Sequence, residues 1–103
     1  EQWLINEIRA YLSYRRRDDG MFFWRTKHGD EVDLIVGDHT AIEIKAARRI
    51  SADAEKGLLK LKDEKKLKNL WIVSQDPIDG VHGSVRKMFY ENFIRQLWSD
   101  QLF

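Results

Sequence analysis

Two short alternating runs, EVDLIVG at 31–37 and TAIEIKA at 40–46, most constrain what this chain can fold into. Each changes character with a period of two, the pattern of a β-strand with unlike faces. Gly37-Asp38-His39 between them reads as a turn, so the runs predict a hairpin. Strand parity sets Glu43 and Lys45 on one face and Ile42, Ile44 and Ala46 on the other. Asp33 takes the opposite sense to Val32, Leu34 and Val36. In a hairpin centred on Asp38, Asp33 and Glu43 stand opposite each other, with Cβ atoms roughly 4.5–5.5 Å apart. Two like charges so placed repel, and burial worsens the repulsion. A divalent cation between them removes it, and oxygen ligands suit Mg²⁺, Mn²⁺ or Ca²⁺. The plainer alternative is a solvated sheet face carrying surface charges.

The flanking sequence supplies the layers around such a hairpin. Residues 1–17 predict a helix, with Leu4, Ile5, Ile8, Tyr11 and Leu12 at helical spacing. Asp18-Asp19-Gly20 stops it, and the aromatic run at 21–27 reads as a strand, followed by a turn at 28–30. Ser51 is a candidate N-cap for a helix over about 52–66, with Ala54, Leu58 and Leu61 inward. Residues 70–74 form a compact apolar strand, 75–83 a loop with the only proline, and 84–90 a further strand. Residues 91–103 close the chain as an amphipathic helix carrying Phe93, Ile94, Leu97 and Trp98. The order α-β-β-β-α-β-(β)-α predicts an α/β sandwich around a mixed central sheet flanked by helices.

The 103 residues make one domain, 1–103, and 43% hydrophobic residues suffice for a real core. No apolar run approaches the roughly 18–20 residues of a membrane span. The absence of cysteine excludes disulfides, thiol catalysis and cysteine zinc sites, and fits a cytoplasmic protein. A net charge of +1 creates no global basic field, although basic residues cluster at 15–17, at 45–49 and from 56 to 68.

An Asp at one strand, a short turn, then Glu-x-Lys in the next strand resembles the PD-(D/E)XK nuclease signature. Val32 stands where the fullest form has proline. The stretches EQWLINEIRAYLSYRRR, FFWRTKHGDEVDLIVG, AIEIKAARRIS, KGLLKL and FYENFIRQLW extend the likeness along nearly the whole chain. Together they resemble the nuclease-like domain at the C-terminus of bacterial and archaeal AAA-type ATPases. The resemblance implies a restriction-endonuclease-like α-β-β-β-α-β core, Mg²⁺ or Mn²⁺ as cofactor, and DNA as substrate. It also implies a parent ATPase domain outside this chain, because no glycine-rich phosphate loop occurs here. A homodimer is a further expectation.

Residue by residue, the resemblance implies that Asp33 and Glu43 ligate the metal and that the Ile44 carbonyl completes the site. Lys45 would position or activate the attacking water and stabilise charge on the phosphate. Members of this superfamily tend to add a carboxylate from the first helix, and Glu1 and Glu7 both qualify. The apolar stripe of Leu4, Ile8 and Leu12 passes through Glu1 and leaves Glu7 to one side, which favours Glu1. Arg25, Lys27, Arg48 and Arg49 are candidate contacts to a phosphate backbone. The three histidines read as turn residues, and Gly57 as a point of close helix–sheet approach. The rival expectation is a nuclease fold without turnover, which binds nucleic acid or assembles and regulates the parent ATPase.

Overall fold

The computed structural model describes residues 1–49 and 52–103. Its elements in chain order are α1 (Gln2–Tyr14), β1 (Met21–Arg25), β2 (Glu31–Val36) and β3 (Thr40–Lys45). A 3₁₀ turn (Ala52–Glu55) then leads into α2 (Lys56–Glu64), followed by β4 (Asn69–Ser74), β5 (Gly80–His82), β6 (Val85–Phe89) and α3 (Tyr90–Trp98). The six strands form one mixed sheet in the order β1-β2-β3-β4-β6-β5. β1, β2 and β3 are an antiparallel meander, while β3, β4 and β6 run parallel. The expected α/β architecture and element order are therefore present. Among the described residues, no helix is long and apolar enough to cross a membrane.

Two apolar layers hold the sheet. On one face Leu4, Ile8, Tyr11 and Leu12 of α1 and Phe93 and Leu97 of α3 pack on Leu34, Val36, Ile42, Trp71, Val73 and Met88. On the other, Ala54, Leu58 and Leu61 pack on Val32, Ile35, Ala41, Leu70, Ile72 and Val85. The inward residues expected of the second helix are thus the buried ones. That helix sits close to the sheet because residue 57 lacks a side chain. A Cβ on Gly57 would lie 2.3 Å from the Glu31 carbonyl oxygen, inside any permissible contact. The Ser51 N-cap expectation falls outside the described residues.

Several boundaries differ from the sequence reading, three of them for a visible backbone reason. α1 ends at Tyr14, not Arg17, because Arg16 adopts φ 54° and turns the chain. The Arg16 N–H then donates to Ser13 O and the Arg17 N–H to Leu12 O, the paired bonds of a Schellman cap. α3 ends the same way at Trp98, with Asp100 at φ 59° and the Gln101 N–H bonded to Gln96 O. Both caps use a non-glycine residue in the left-handed region, so composition carries no stop signal. The loop expected at 75–83 contains β5, which pairs His82 with Val85 across a two-residue turn in which Gly83 has φ 61°.

The hairpin register is the one the mirror positions require. Val36 pairs with Thr40, Ile35 with Ala41 and Leu34 with Ile42. The next positions in that register are Asp33 and Glu43. The simple alternation assigned to β2 fails, however. Against β1, Ile35 pairs with Phe22 and Val32 with Trp24, so two residues, Asp33 and Leu34, oppose the single Phe23. This bulge shifts the phase of the strand. Val32 joins the α2 layer, whereas Leu34 and Val36 join the α1–α3 layer. Ala46 also departs from its assigned face, since β3 ends at Lys45 and Ala46 is exposed.

At the opposite end of the hairpin from Asp33, Asp19 anchors a polar network. Arg17 Nε donates to Asp19 Oδ1 at 2.6 Å, and His39 Nε2 lies 2.7 Å from Oδ2. The Arg17 guanidinium, with help from His39, holds the Asp19 carboxyl down to about 2. His39 Nδ1 meets Thr40 Oγ1 at 2.6 Å, and Thr40 Oγ1 accepts from Asn69. His39 therefore ties the hairpin turn to the α1–β1 connection and to β4, a larger role than that of a turn residue.

Candidate functional site

Bulges re-aim side chains, and the one in β2 turns Asp33 toward both its neighbours. The ladder between β2 and β3 stops at Leu34–Ile42. One step further on, the Asp33 side chain takes the place of a backbone acceptor, and the Ile44 N–H donates to Asp33 Oδ2 at 2.8 Å. In a strand the N–H and C=O of one residue point to the same side. The Ile44 carbonyl therefore projects from β3 on the side of Asp33.

Glu43 is 6% exposed and lies within hydrogen-bonding reach of Asp33. Burial first, and then the neighbouring Asp33, push its carboxyl up from 4.5 to about 9. Glu31 adds to the same effect, and Lys45 opposes it. Glu43 thus carries a proton at neutral pH when nothing else supplies positive charge. Glu1, at the start of α1, also lies close to Asp33, and this neighbour raises its carboxyl as well. Lys45 lies close enough to Glu1 and Glu43 to pull both in the opposite direction. The result is a chain of carboxylates, Glu1–Asp33–Glu43, with one ammonium beside it.

Of the two helix carboxylates, Glu1 belongs to this cluster. Glu7 is elsewhere, accepting a hydrogen bond from Trp98 Nε1 at 3.1 Å. Arg25 ends β1 and forms an exposed pair with Glu31 at 3.3 Å, two residues from Asp33. Lys27 lies in the exposed turn after β1. Arg48 and Arg49 are exposed beyond β3, and Arg49 contributes to lowering the Asp76 carboxyl. The four basic residues therefore border the cluster loosely, and none of them enters it.

The sequence reading missed a second charged pair near the same end of the parallel strands. Asp76 is 8% exposed, and Lys87 Nζ donates to its Oδ2 at 2.8 Å. The Ile78 N–H donates to the other oxygen at 3.0 Å. Lys87 and this N–H hold the Asp76 carboxyl below its ordinary value. An Asp before Pro77 signals a side-chain-capped turn, but its partner is set by the β4–β6 crossover, which sequence does not reveal.

All donors in the carboxylate cluster are oxygens, the set preferred by hard divalent cations. Among the described residues, no three His, Cys, Asp or Glu side chains are already arranged as a metal cage. The cluster lies near the carboxyl ends of β3 and β4, where open α/β sheets bind ligands. No curated protein and no solved structure matches the chain. A family model described as "Domain of unknown function (DUF4143)" matches residues 1–83, a span that takes in every carboxylate of the cluster and Lys45, and the chain belongs to that family.

Proposed function

We propose that this domain is a metal-dependent nuclease of the PD-(D/E)XK type that hydrolyses DNA phosphodiester bonds. It acts as the C-terminal, nuclease-like part of a cytoplasmic AAA-type ATPase. The observation that carries this reading is the Glu1–Asp33–Glu43 carboxylate chain with Lys45 in its field. Such a cluster stores repulsion that a bare fold relieves only by holding a proton on Glu43.

Asp33, Glu43 and the Ile44 carbonyl would hold Mg²⁺ or Mn²⁺. Three protein oxygens suffice, since Mg²⁺ keeps several waters. When bound, the ion supplies Lewis-acid stabilisation of phosphoryl charge and makes water acidic enough to attack. Lys45 orients that water and stabilises charge on the phosphate as the bond breaks. Glu1 acts as a positioning residue beside the Asp33 carboxylate. Arg25, Lys27, Arg48 and Arg49 contact the flanking phosphates.

The test uses Lys45→Ala on plasmid and branched duplex substrates with Mn²⁺. Cleavage is lost in the variant while metal binding persists, because the lysine is not a ligand. DNA affinity falls only slightly, by about one unit in the salt slope. Among the described residues no three His, Cys, Asp or Glu side chains form a ready-made cage, and the second reading is a nuclease fold without turnover that binds nucleic acid or assembles the parent ATPase, as a homodimer or otherwise. In that case neither protein cuts. Silence from a chain that includes the ATPase domain, with ATP and metal present, rules catalysis out.

A further inference from the structure

A pocket of about 270 Å³ opens directly beside the carboxylate cluster and shares Glu1 and Lys45 with it. Its remaining lining is of another character. Trp3, which is 55% exposed, and Tyr90 meet there edge to face, with ring centroids 6.0 Å apart at 75°. Ile44 and Val73 contribute aliphatic surface, and Ser74 and Gln75 contribute polar groups. Ser74 Oγ accepts the Asp76 N–H, and a serine hydroxyl also carries one donor. A Gln amide offers both a donor and an acceptor.

Aromatic faces, an aliphatic base and a few mixed polar groups describe a site for a flat heterocycle. The volume falls just under the roughly 300–1,000 Å³ typical of pockets for drug-sized ligands. A single base fits that size. A base is also tethered one sugar away from its phosphate, and Lys45 and Trp3 line the same pocket. Bases inside a duplex are stacked on both sides and paired along their edges, so none of them reaches a lateral pocket without first being unpaired.

We infer that this pocket takes up an unpaired nucleobase next to the phosphate held at the carboxylates, so that the substrate class is single-stranded, flapped or frayed nucleic acid and not continuous duplex. The inference rests on the nuclease reading only for what happens to that phosphate; uptake of the base stands without turnover. Trp3 and Tyr90 form the stacking platform, and sequence preference is weak because every base has a π face.

The experiment compares the intact chain with Trp3→Ala and Trp3→Phe, using one oligonucleotide labelled with 2-aminopurine, single-stranded or annealed into a blunt duplex. Binding is read in EDTA and again in Ca²⁺ by anisotropy and by 2-aminopurine fluorescence. The single strand binds at least tenfold tighter than the duplex, and its fluorophore is quenched. Trp3→Ala weakens single-strand binding roughly tenfold and removes the quenching, whereas Trp3→Phe retains most of both. Equal affinity for the two forms, binding of neither, or indifference to Trp3→Ala overturns the inference. Cleavage is scored separately with Mn²⁺. Trp3-dependent strand binding without cutting, in this chain and in one that includes the ATPase domain with ATP, leaves the pocket standing and removes the nuclease; duplex cutting indifferent to Trp3 does the reverse.

Discussion

Replacing Glu43 by glutamine should make the metal-free protein more stable at neutral pH, although the substitution removes a central site residue. Glu43 has its carboxyl raised from 4.5 to about 9 by burial and by Asp33. The folded state therefore binds one proton more than the unfolded chain between those two values, and stability falls as pH rises through that window. At pH 7 the protein stands about two and a half units above the unfolded value, and each unit corresponds to about 1.4 kcal/mol. The resulting loss is about 3.5 kcal/mol at its ceiling, and Lys45 and local solvent soften it. Glutamine is neutral at every pH, has nearly the same shape, and can donate to Asp33 as the protonated acid does. In EDTA, Glu43→Gln should melt higher than wild type at pH 7 by up to roughly 14–28 °C, at roughly 4–8 °C per kcal/mol for a domain of this size. The difference should vanish near pH 4.5. Thermal and urea melts from pH 4.5 to 9 decide the matter. Parallel stability curves for the two proteins would refute the reasoning, because they would mean that Glu43 is ionised in the fold without penalty.

Mn²⁺ at millimolar concentration should raise the melting temperature of the wild type by binding only the folded state, and Asp33→Asn should abolish that rise. Gly57→Ala should destabilise by about 1–3 kcal/mol, because the added methyl meets the rigid Glu31 carbonyl; chemical denaturation measures it, and a neutral result would mean that α2 can lift off freely. Asp19→Asn should lower stability by about 2 kcal/mol at pH 7. The Asp19 carboxyl is held down to about 2, so its contribution is present above its ordinary value of 3.8 and fades as pH falls toward 2. The gap between variant and wild type should narrow over that range, and a constant gap would assign the loss to packing.

Much of the site could be read from residue order, because a hairpin's register follows from its turn. Counting outward from Asp38 brings Asp33 opposite Glu43, and strand parity alone puts Lys45 on the face of Glu43. The apolar stripe of α1 separated Glu1 from Glu7 for the same geometric reason. What escaped was set by backbone states that L-residues adopt without announcing them. Arg16 and Asp100 end their helices in the left-handed region, where composition leads one to expect glycine. The β2 bulge leaves no mark in the sequence, because its cause is the pairing with β1, a strand that could be aligned in more than one way. The Asp76–Lys87 pair depends on which strands become neighbours across a crossover. Asp19, which read as part of a stop signal, owes its role to His39, 20 residues away.

The bulge has a consequence for how this hairpin can change over evolutionary time. It acts on β2 as a frameshift acts on a reading frame: Val32 before it and Leu34 and Val36 after it, an even number of places apart, belong to opposite layers of the protein. From the bulge to the turn and back to Glu43, the carboxylate pair is kept together by counting. Apolar residues between those marks can exchange for others of similar size without disturbing it. A single insertion or deletion there cannot, because slipping one place sends every following side chain to the opposite face and carries Glu43 away from Asp33. Lineages of this domain should therefore drift freely in composition along the hairpin while holding its length fixed, and length change should be confined to loops outside it.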